Sequence, residues 1–238
     1  MRQADTGVVL AHGKWDRRPF AIDALATPLA TAGYASATPE LPWSLHRLYD
    51  ASFDTALDEL HAAVAGLRDA GCHRVLLAGH SLGANAAVAC AARGTRIDGL
   101  LVLAPGHLPE RLHAEGVTTA ALQDARAALA AGERSRRVLV DSFQGVPRRL
   151  RIDPAHYLAY FDPAGAAVLP ANCARLPEMP VLWMVGRADP HAALGPAYAY
   201  DRAPRHPLSR YVEIDADHTG TPAAAAPLVL EWLQRHFH

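Results

Sequence analysis

Short apolar runs separated by polar or glycine-rich turns dominate the hydropathy pattern of the chain. Four strong runs lie at residues 8–11, 75–78, 100–103 and 181–185, a fifth at 211–214, and a weaker one near 34–37. Every position of the strong runs is apolar, which is typical of strands buried on both faces of a helix-covered parallel sheet. We therefore predict a mainly parallel sheet of about six strands.

Helical spacing occupies the segments between these runs. In segment 52–70, five residues at steps of three or four form one apolar stripe: Phe53, Leu57, Leu60, Val64 and Leu67. Gly71 follows where a C-cap glycine belongs. A second stripe ends the chain after Thr221 and Pro222. The alternation of strands and helices predicts an α/β fold with right-handed crossovers.

One interval is too long for a simple crossover. About 75 residues separate Pro105 from Pro180, and they include a helical stretch at 118–131, a basic segment at 134–137 and an aromatic-rich segment at 157–161. We interpret this interval as a helical lid, residues 107–173, inserted into a core domain formed by residues 1–106 and 174–238. The alternative is a long crossover with a second helix packed on the sheet edge.

Composition excludes several classes of protein. The 238 residues are 50% hydrophobic and 20% charged, with a net charge of −1, so one large α/β domain fits and the basic excess of a nucleic-acid binder is missing. The three cysteines are far apart and form no CxxC pair, which disfavours a disulfide framework or a zinc site. The first seven residues lack the pattern of a secretory signal, and no apolar stretch reaches membrane-span length. We expect a cytoplasmic protein.

The strongest chemical signal is Gly79-His80-Ser81-Leu82-Gly83, which follows the strand at 75–78 and opens a helical segment. A serine at the tip of such a strand-to-helix turn adopts a strained backbone that exposes its Oγ. The pentapeptide pattern alone is common. Its position between a strand and a helix predicts that Ser81 is a nucleophile.

A nucleophilic serine needs a histidine base and an acid that orients the base. Asp189 directly follows the strand at 181–185, and His218 follows the strand at 211–214. Both positions open to the same sheet edge as Ser81, so we predict a Ser81–His218–Asp189 triad. Asp215 and Asp217 are alternative acids, although turn formation explains them more simply.

The developing oxyanion needs two hydrogen-bond donors. One candidate is the backbone amide of Leu82. The other is the backbone amide of Lys14, in the turn His12-Gly13-Lys14-Trp15 after the first strand. Its side chain is expected to be solvated, as most lysines are.

Candidate pocket residues are aromatic. Trp15, Phe143, Tyr157 and Tyr160 could line a substrate pocket, and core packing is the alternative for each. No GxxxxGK loop, GxGxxG turn or HExxH pair is present, so we expect neither a nucleotide nor a metal site.

The order of these motifs resembles the α/β-hydrolase superfamily, in its esterase and lipase-like branch. The resemblance implies a serine hydrolase that cleaves carboxylic ester or thioester bonds of small substrates through an acyl-enzyme on Ser81, without a cofactor. It also implies a lid after the third strong strand, the one that follows the nucleophile. A C–C bond hydrolase, a lactonase and a non-catalytic small-molecule receptor of the same fold are the alternatives.

Overall fold

The computed structural model describes residues 4–143 and 145–237. Its central sheet contains six strands: β1 (Thr6–Ala11), β2 (Ala35–Ala37), β3 (Arg74–His80), β4 (Gly99–Leu103), β7 (Val181–Gly186) and β8 (Arg210–Ile214). Their order is β2-β1-β3-β4-β7-β8, and every neighbouring pair is parallel. The predicted α/β-hydrolase fold with a parallel sheet of about six strands is confirmed.

Helices cover both faces of this sheet. On one face lie α2 (Phe53–Asp69) and α3 (Leu82–Ala92), and on the other α1 (Ala26–Thr31) and α8 (Thr221–His236). Successive strand residues alternate between the two layers: Val9 packs in the core on the α2 side, and Val8 in the core on the α8 side. Because both faces are buried, the strands need apolar side chains at every position.

Local signals fix the ends of α2. The Ser52 side chain accepts a hydrogen bond from the Thr55 amide at 3.1 Å, which caps the first turn. Gly71 follows the helix with a φ of +96°, a left-handed conformation that glycine adopts without a Cβ penalty. These signals bound α2 at Phe53 and Asp69, and β3 begins a few residues later at Arg74.

The interval between β4 and β7 contains more than helices. It is built from α4 (Pro109–Ala114), α5 (Thr119–Ala130), β5 (Arg137–Phe143), β6 (Val146–Ile152), α6 (Pro154–Phe161) and α7 (Leu169–Cys173). Strands β5 and β6 form an antiparallel hairpin, which the sequence analysis missed because it took residues 134–137 only as a basic segment. The lid role of residues 107–173, and the domain boundaries at its ends, stay predictions.

The hairpin packs against the body of the fold through one of its faces. Leu139, Leu150 and Ile152 are buried in the same core as Phe53 of α2, whereas the arginines between them are exposed. This period of two is the strand signature of a half-buried sheet. Among the described residues, no helix combines the length and the apolar content needed to cross a membrane.

Candidate active site

Ser81 lies at the tip of the turn between β3 and α3, with a φ of 55° and a ψ of −122°. A residue other than glycine rarely adopts a positive φ, so the surrounding structure must hold the Ser81 backbone in this conformation. The Ser81 amide donates to the Leu103 carbonyl at 3.1 Å, and its carbonyl accepts from the Ala84 amide at 3.0 Å. The fold thus presents the Ser81 side chain at the carboxyl edge of the sheet.

The two glycines of the motif permit this turn. A Cβ on Gly79 would lie 2.2 Å from the Gly83 carbonyl oxygen, and a Cβ on Gly83 would lie 2.2 Å from the Ala11 carbonyl oxygen. Both neighbours are backbone atoms that cannot turn aside. Glycine is therefore required for α3 to begin so close to β1 and β3.

Three side chains that are distant in sequence form a hydrogen-bonded chain at this edge. The Oγ of Ser81 lies 3.0 Å from Nε2 of His218, and Nδ1 of His218 lies 2.6 Å from Oδ2 of Asp189. The Asp189 side chain is fully buried, whereas the His218 side chain is 12% exposed. The structure thus brings together the three residues that the sequence analysis placed after β3, β7 and β8.

Asp189 is held as a carboxylate. Its Oδ1 accepts the backbone amide of His191 at 2.8 Å while Oδ2 faces His218. Burial favours the protonated acid, but the hydrogen bonds from His218 and His191 outweigh burial and lower the pKa of Asp189. Asp217, the alternative acid, instead accepts the Gly220 amide at 2.6 Å on the surface.

His80 positions the backbone of the loop that carries His218. Burial lowers the pKa of His80 to about 4, so the ring is neutral at neutral pH. Its Nε2 lies 2.9 Å from the carbonyl oxygen of His218. Because a carbonyl only accepts, Nε2 carries the hydrogen and donates it. The sequence analysis missed this contact, since the position between Gly79 and Ser81 has no required residue type.

Both candidate oxyanion donors belong to backbone segments beside Ser81. Leu82 is the first residue of α3, so its amide has no acceptor within the helix. A Cβ on Gly13 would lie 3.2 Å from Cβ of Ser81, which places the turn before Lys14 directly against Ser81. The oxyanion role of the Lys14 and Leu82 amides stays a prediction.

The turn at Gly13 is fixed by the neighbouring His12. Nε2 of His12 accepts the Leu41 amide at 2.9 Å, and Nδ1 faces the Gly13 carbonyl at 2.7 Å. Burial lowers the pKa of His12 to about 4, and its ring stacks on Phe20 with centroids 3.9 Å apart. A neutral, stacked ring therefore anchors the segment that leads to Lys14.

A family model described as the alpha/beta hydrolase family matches residues 8–230. This chain belongs to the alpha/beta hydrolase family. No curated protein sequence matches it.

Solved structures show the same fold at low identity. The structure of the metagenome-derived lipolytic enzymes LipS and LipT is 20% identical, with a TM-score of 0.67, over 98% of this chain and 95% of that chain. The monoacylglycerol lipase of Paleococcus ferrophilus is 20% identical, with a TM-score of 0.69, over 97% and 94%. A thioesterase domain from the curacin biosynthetic pathway is 19% identical, with a TM-score of 0.59, over 98% and 92%.

In this alpha/beta hydrolase the Lys14 side chain is buried, which corrects the expectation that it is solvated. Its Nζ lies 2.8 Å from Oδ1 of Asp141, with side-chain exposures of 5% and 0%. Oδ2 of Asp141 accepts the Trp15 indole at 2.5 Å and the Tyr49 hydroxyl at 3.4 Å. The sequence analysis missed this pair because it had no hairpin to bring β5 over the turn.

Two cavities lie near Ser81, which lines the smaller of them. The smaller, here called the Ser81 cavity, has a volume of about 90 Å³ and is lined by Trp15, Phe143 and His218 among others. The larger, here called the cap cavity, has about 480 Å³ and is lined by Leu108, Leu112, Val117, Pro190, His191 and Leu194 among others. Its volume falls within the usual range for small-molecule sites.

Gly106 lies against the side chains of Ser81 and His218. It lines the cap cavity and also a pocket of about 20 Å³ shared with Ser81 and His218. A Cβ at this position would lie 2.6 Å from Cε1 of His218 and 3.3 Å from Oγ of Ser81. The sequence analysis did not single out this glycine, because no local pattern marks it.

The four candidate pocket residues divide into two pairs. Trp15 and Phe143 line the Ser81 cavity. Tyr157 and Tyr160 are fully buried, and their hydroxyls donate to the carbonyls of Val140 and Ala51. Their role as pocket residues stays a prediction. The described residues contain no cluster of three His, Cys, Asp or Glu side chains that could hold a metal ion.

Proposed function

We propose that this chain is a serine hydrolase that cleaves carboxylic ester or thioester bonds of small substrates through an acyl-enzyme on Ser81. The hydrogen-bonded chain from Ser81 through His218 to Asp189 is the observation that carries the proposal. The esterase, lipase and thioesterase names of structurally similar proteins point to the same chemistry.

The first half-reaction acylates Ser81. Nε2 of His218 accepts the Oγ proton while Oγ forms a bond to the substrate carbonyl carbon. The carbonyl oxygen takes the negative charge, and the Lys14 and Leu82 amides donate to it. The bond to the leaving oxygen or sulfur then breaks, and the proton on Nε2 passes to that atom.

The second half-reaction returns the enzyme to its starting state. A water molecule gives a proton to Nε2 of His218 as its oxygen attacks the acyl carbon. The bond to Oγ breaks, Oγ recovers the proton, and the carboxylic acid leaves. Asp189 accepts the Nδ1 hydrogen throughout, so it fixes the ring orientation and stabilises the positive imidazolium.

The size of the cavities supports a small substrate. Ser81 lines the Ser81 cavity of about 90 Å³, and a pocket of about 20 Å³ lined by Ser81, Gly106 and His191 lies between it and the cap cavity of about 480 Å³, so one cavity can take the acyl group and the other the leaving group. The cap cavity has an apolar wall formed by Leu108, Leu112 and Val117. A short acyl or aryl group fits such a wall.

Hydrolysis of p-nitrophenyl acetate, butyrate and hexanoate, and of the matching acyl thioesters, tests the proposal. Ser81→Ala should abolish turnover above background, and Ser135→Ala, an exposed serine before β5, should act like wild type. Equal rates for Ser81→Ala and wild type would exclude Ser81 as the nucleophile. A wild-type protein that hydrolyses none of these substrates yet binds them would favour the non-catalytic receptor.

A further inference from the structure

Phe143, the last residue of β5, lines the Ser81 cavity. In the register of this hairpin Asp141 faces Arg148 and Phe143 faces Val146. Opposite residues of an antiparallel pair share a face. Arg148 therefore lies on the same face as buried Asp141 and as Phe143, which lines the cavity.

The guanidinium of Arg148 stacks on the aromatic wall of that cavity. Its central carbon lies 4.7 Å from the centroid of the Phe143 ring and 6.0 Å from that of the Trp15 ring. Trp15 is itself fixed, because its indole donates to Asp141 and its amide donates to the Trp43 carbonyl. Cation–π contacts of this kind hold the Arg148 charge beside two aromatic residues that line the cavity.

The charge of Arg148 lacks an acidic partner among residues 4–143 and 145–237. The carboxylate opposite it in the hairpin, Asp141, is already bonded to Lys14 and Trp15. Two cations that line the cap cavity are neutralised: Lys14 by Asp141, and Arg111 by Glu115 at 3.1 Å. Beside the Trp15 and Phe143 rings of the Ser81 cavity, Arg148 is thus a positive group whose hydrogen-bond donors are free for an anion.

We propose that Arg148 binds an anionic group, a carboxylate or a phosphate, carried by the substrate. The planar guanidinium donates two parallel hydrogen bonds to such groups, and its stacked position orients it in advance. The preferred substrates are therefore esters or thioesters with a negative charge a few bonds from the scissile carbonyl. This inference rests on the proposed hydrolase function of Ser81.

Matched substrate pairs test this inference. For the acyl side the pair is mono-p-nitrophenyl adipate and p-nitrophenyl hexanoate, and for the leaving group it is p-carboxyphenyl butyrate and p-carbamoylphenyl butyrate. Each pair differs mainly in the charged group. The ratio of kcat/KM for the charged to the neutral member is compared between wild type and variants, so the intrinsic reactivity of each ester cancels.

Arg148→Ala should lower this selectivity ratio about tenfold in at least one pair, mainly through KM, since the contact is made before and during reaction. Arg148→Lys should retain part of the selectivity. Arg149→Ala is the matched control: Arg149 is exposed on the opposite face of the same strand, and its removal should leave the ratio within about twofold of wild type.

The outcomes separate the two proposals. Unchanged selectivity in Arg148→Ala, with both esters still hydrolysed, would overturn the role of Arg148 and leave the hydrolase function intact. A wild-type protein that hydrolyses no ester would overturn both. Sedimentation with phosphatidylglycerol and phosphatidylcholine vesicles tests whether the anion belongs to the substrate or to a lipid headgroup. Loss of phosphatidylglycerol vesicle binding in Arg148→Ala, with unchanged ester selectivity, would assign Arg148 to a lipid headgroup and overturn the substrate role.

Discussion

Replacing Gly106 by alanine should damage catalysis without damaging the fold. The new Cβ would lie 2.6 Å from Cε1 of His218, whereas carbon atoms in contact normally lie about 3.5–4.0 Å apart. The imidazole must therefore move by about 1 Å, the difference between these distances. The hydrogen bond from Ser81 to His218, now 3.0 Å long, is the contact that this movement breaks.

The expected loss is about a hundredfold in kcat, because a misplacement of about 1 Å costs roughly that factor, equivalent to about 2.7 kcal/mol in the barrier. The clash involves the end of a side chain rather than backbone, so the ring can move and the melting temperature should change by only a few degrees. The assay is the steady-state hydrolysis of p-nitrophenyl butyrate, with melting followed by circular dichroism.

Gly66→Ala is the matched control. Gly66 lies within α2, and a Cβ there would meet no atom within 4 Å. This variant should keep wild-type kcat and gain about 0.5–1 kcal/mol of stability, because alanine favours a helix over glycine. A Gly106→Ala enzyme with kcat within about threefold of wild type would refute the argument that this position controls the placement of His218.

Three further predictions concern the acid, the buried ion pair and pH. Asp189→Asn should lower kcat for p-nitrophenyl esters about 10⁴-fold, as expected when the base loses its orienting carboxylate. Asp217→Asn should have little effect on kcat. A large loss in Asp217→Asn with little loss in Asp189→Asn would reassign the acid to Asp217. Asp141→Ala should lower the free energy of unfolding by about 3 kcal/mol in a urea titration, because it leaves the Lys14 ammonium buried and unpaired. Asp124→Ala, which removes an exposed partner of Arg137, should cost under about 1 kcal/mol, and equal losses would contradict the burial argument. Three buried histidines have pKa values near 4 rather than 6.5: His12, His80 and His107. Between these two pKa values the unfolded chain therefore binds more protons than the folded chain. The free energy of unfolding should fall as pH falls from about 6.5 to 4, by up to about 4 kcal/mol per pH unit for the three rings together. A urea midpoint independent of pH in this range would show that these rings are not held neutral.

The sheet and the candidate triad were predictable because each leaves a local trace in the sequence. Strands buried on both faces need apolar residues at every position, as at Val75 to Ala78. The carboxyl ends of parallel strands meet at one edge, so the residues that follow them converge. That rule applies to Asp189 and Asp217 alike, and Asp217 was set aside because turn formation explains it more simply.

Tertiary contacts of the insertion were not predictable in this way. In β6, Leu150 and Ile152 alternate with arginines, and in β5 the apolar run spans only Val138 to Val140, so both signals are weaker than the continuous apolar runs of the central sheet. Without the hairpin, Lys14 had no visible partner and was assigned to solvent. Tyr157 and Tyr160 were taken as pocket candidates because aromatic composition does not reveal whether a side chain faces a cavity or a core.

Labelling with a fluorophosphonate tests the central claim most directly. This probe phosphonylates a serine only when a neighbouring base activates its hydroxyl. Peptide mapping of the intact protein after reaction should place one added phosphonyl mass on Ser81, and the His218→Ala variant should label far more slowly. An unlabelled wild-type protein, or a label on another residue, would contradict the account of Ser81 as an activated nucleophile.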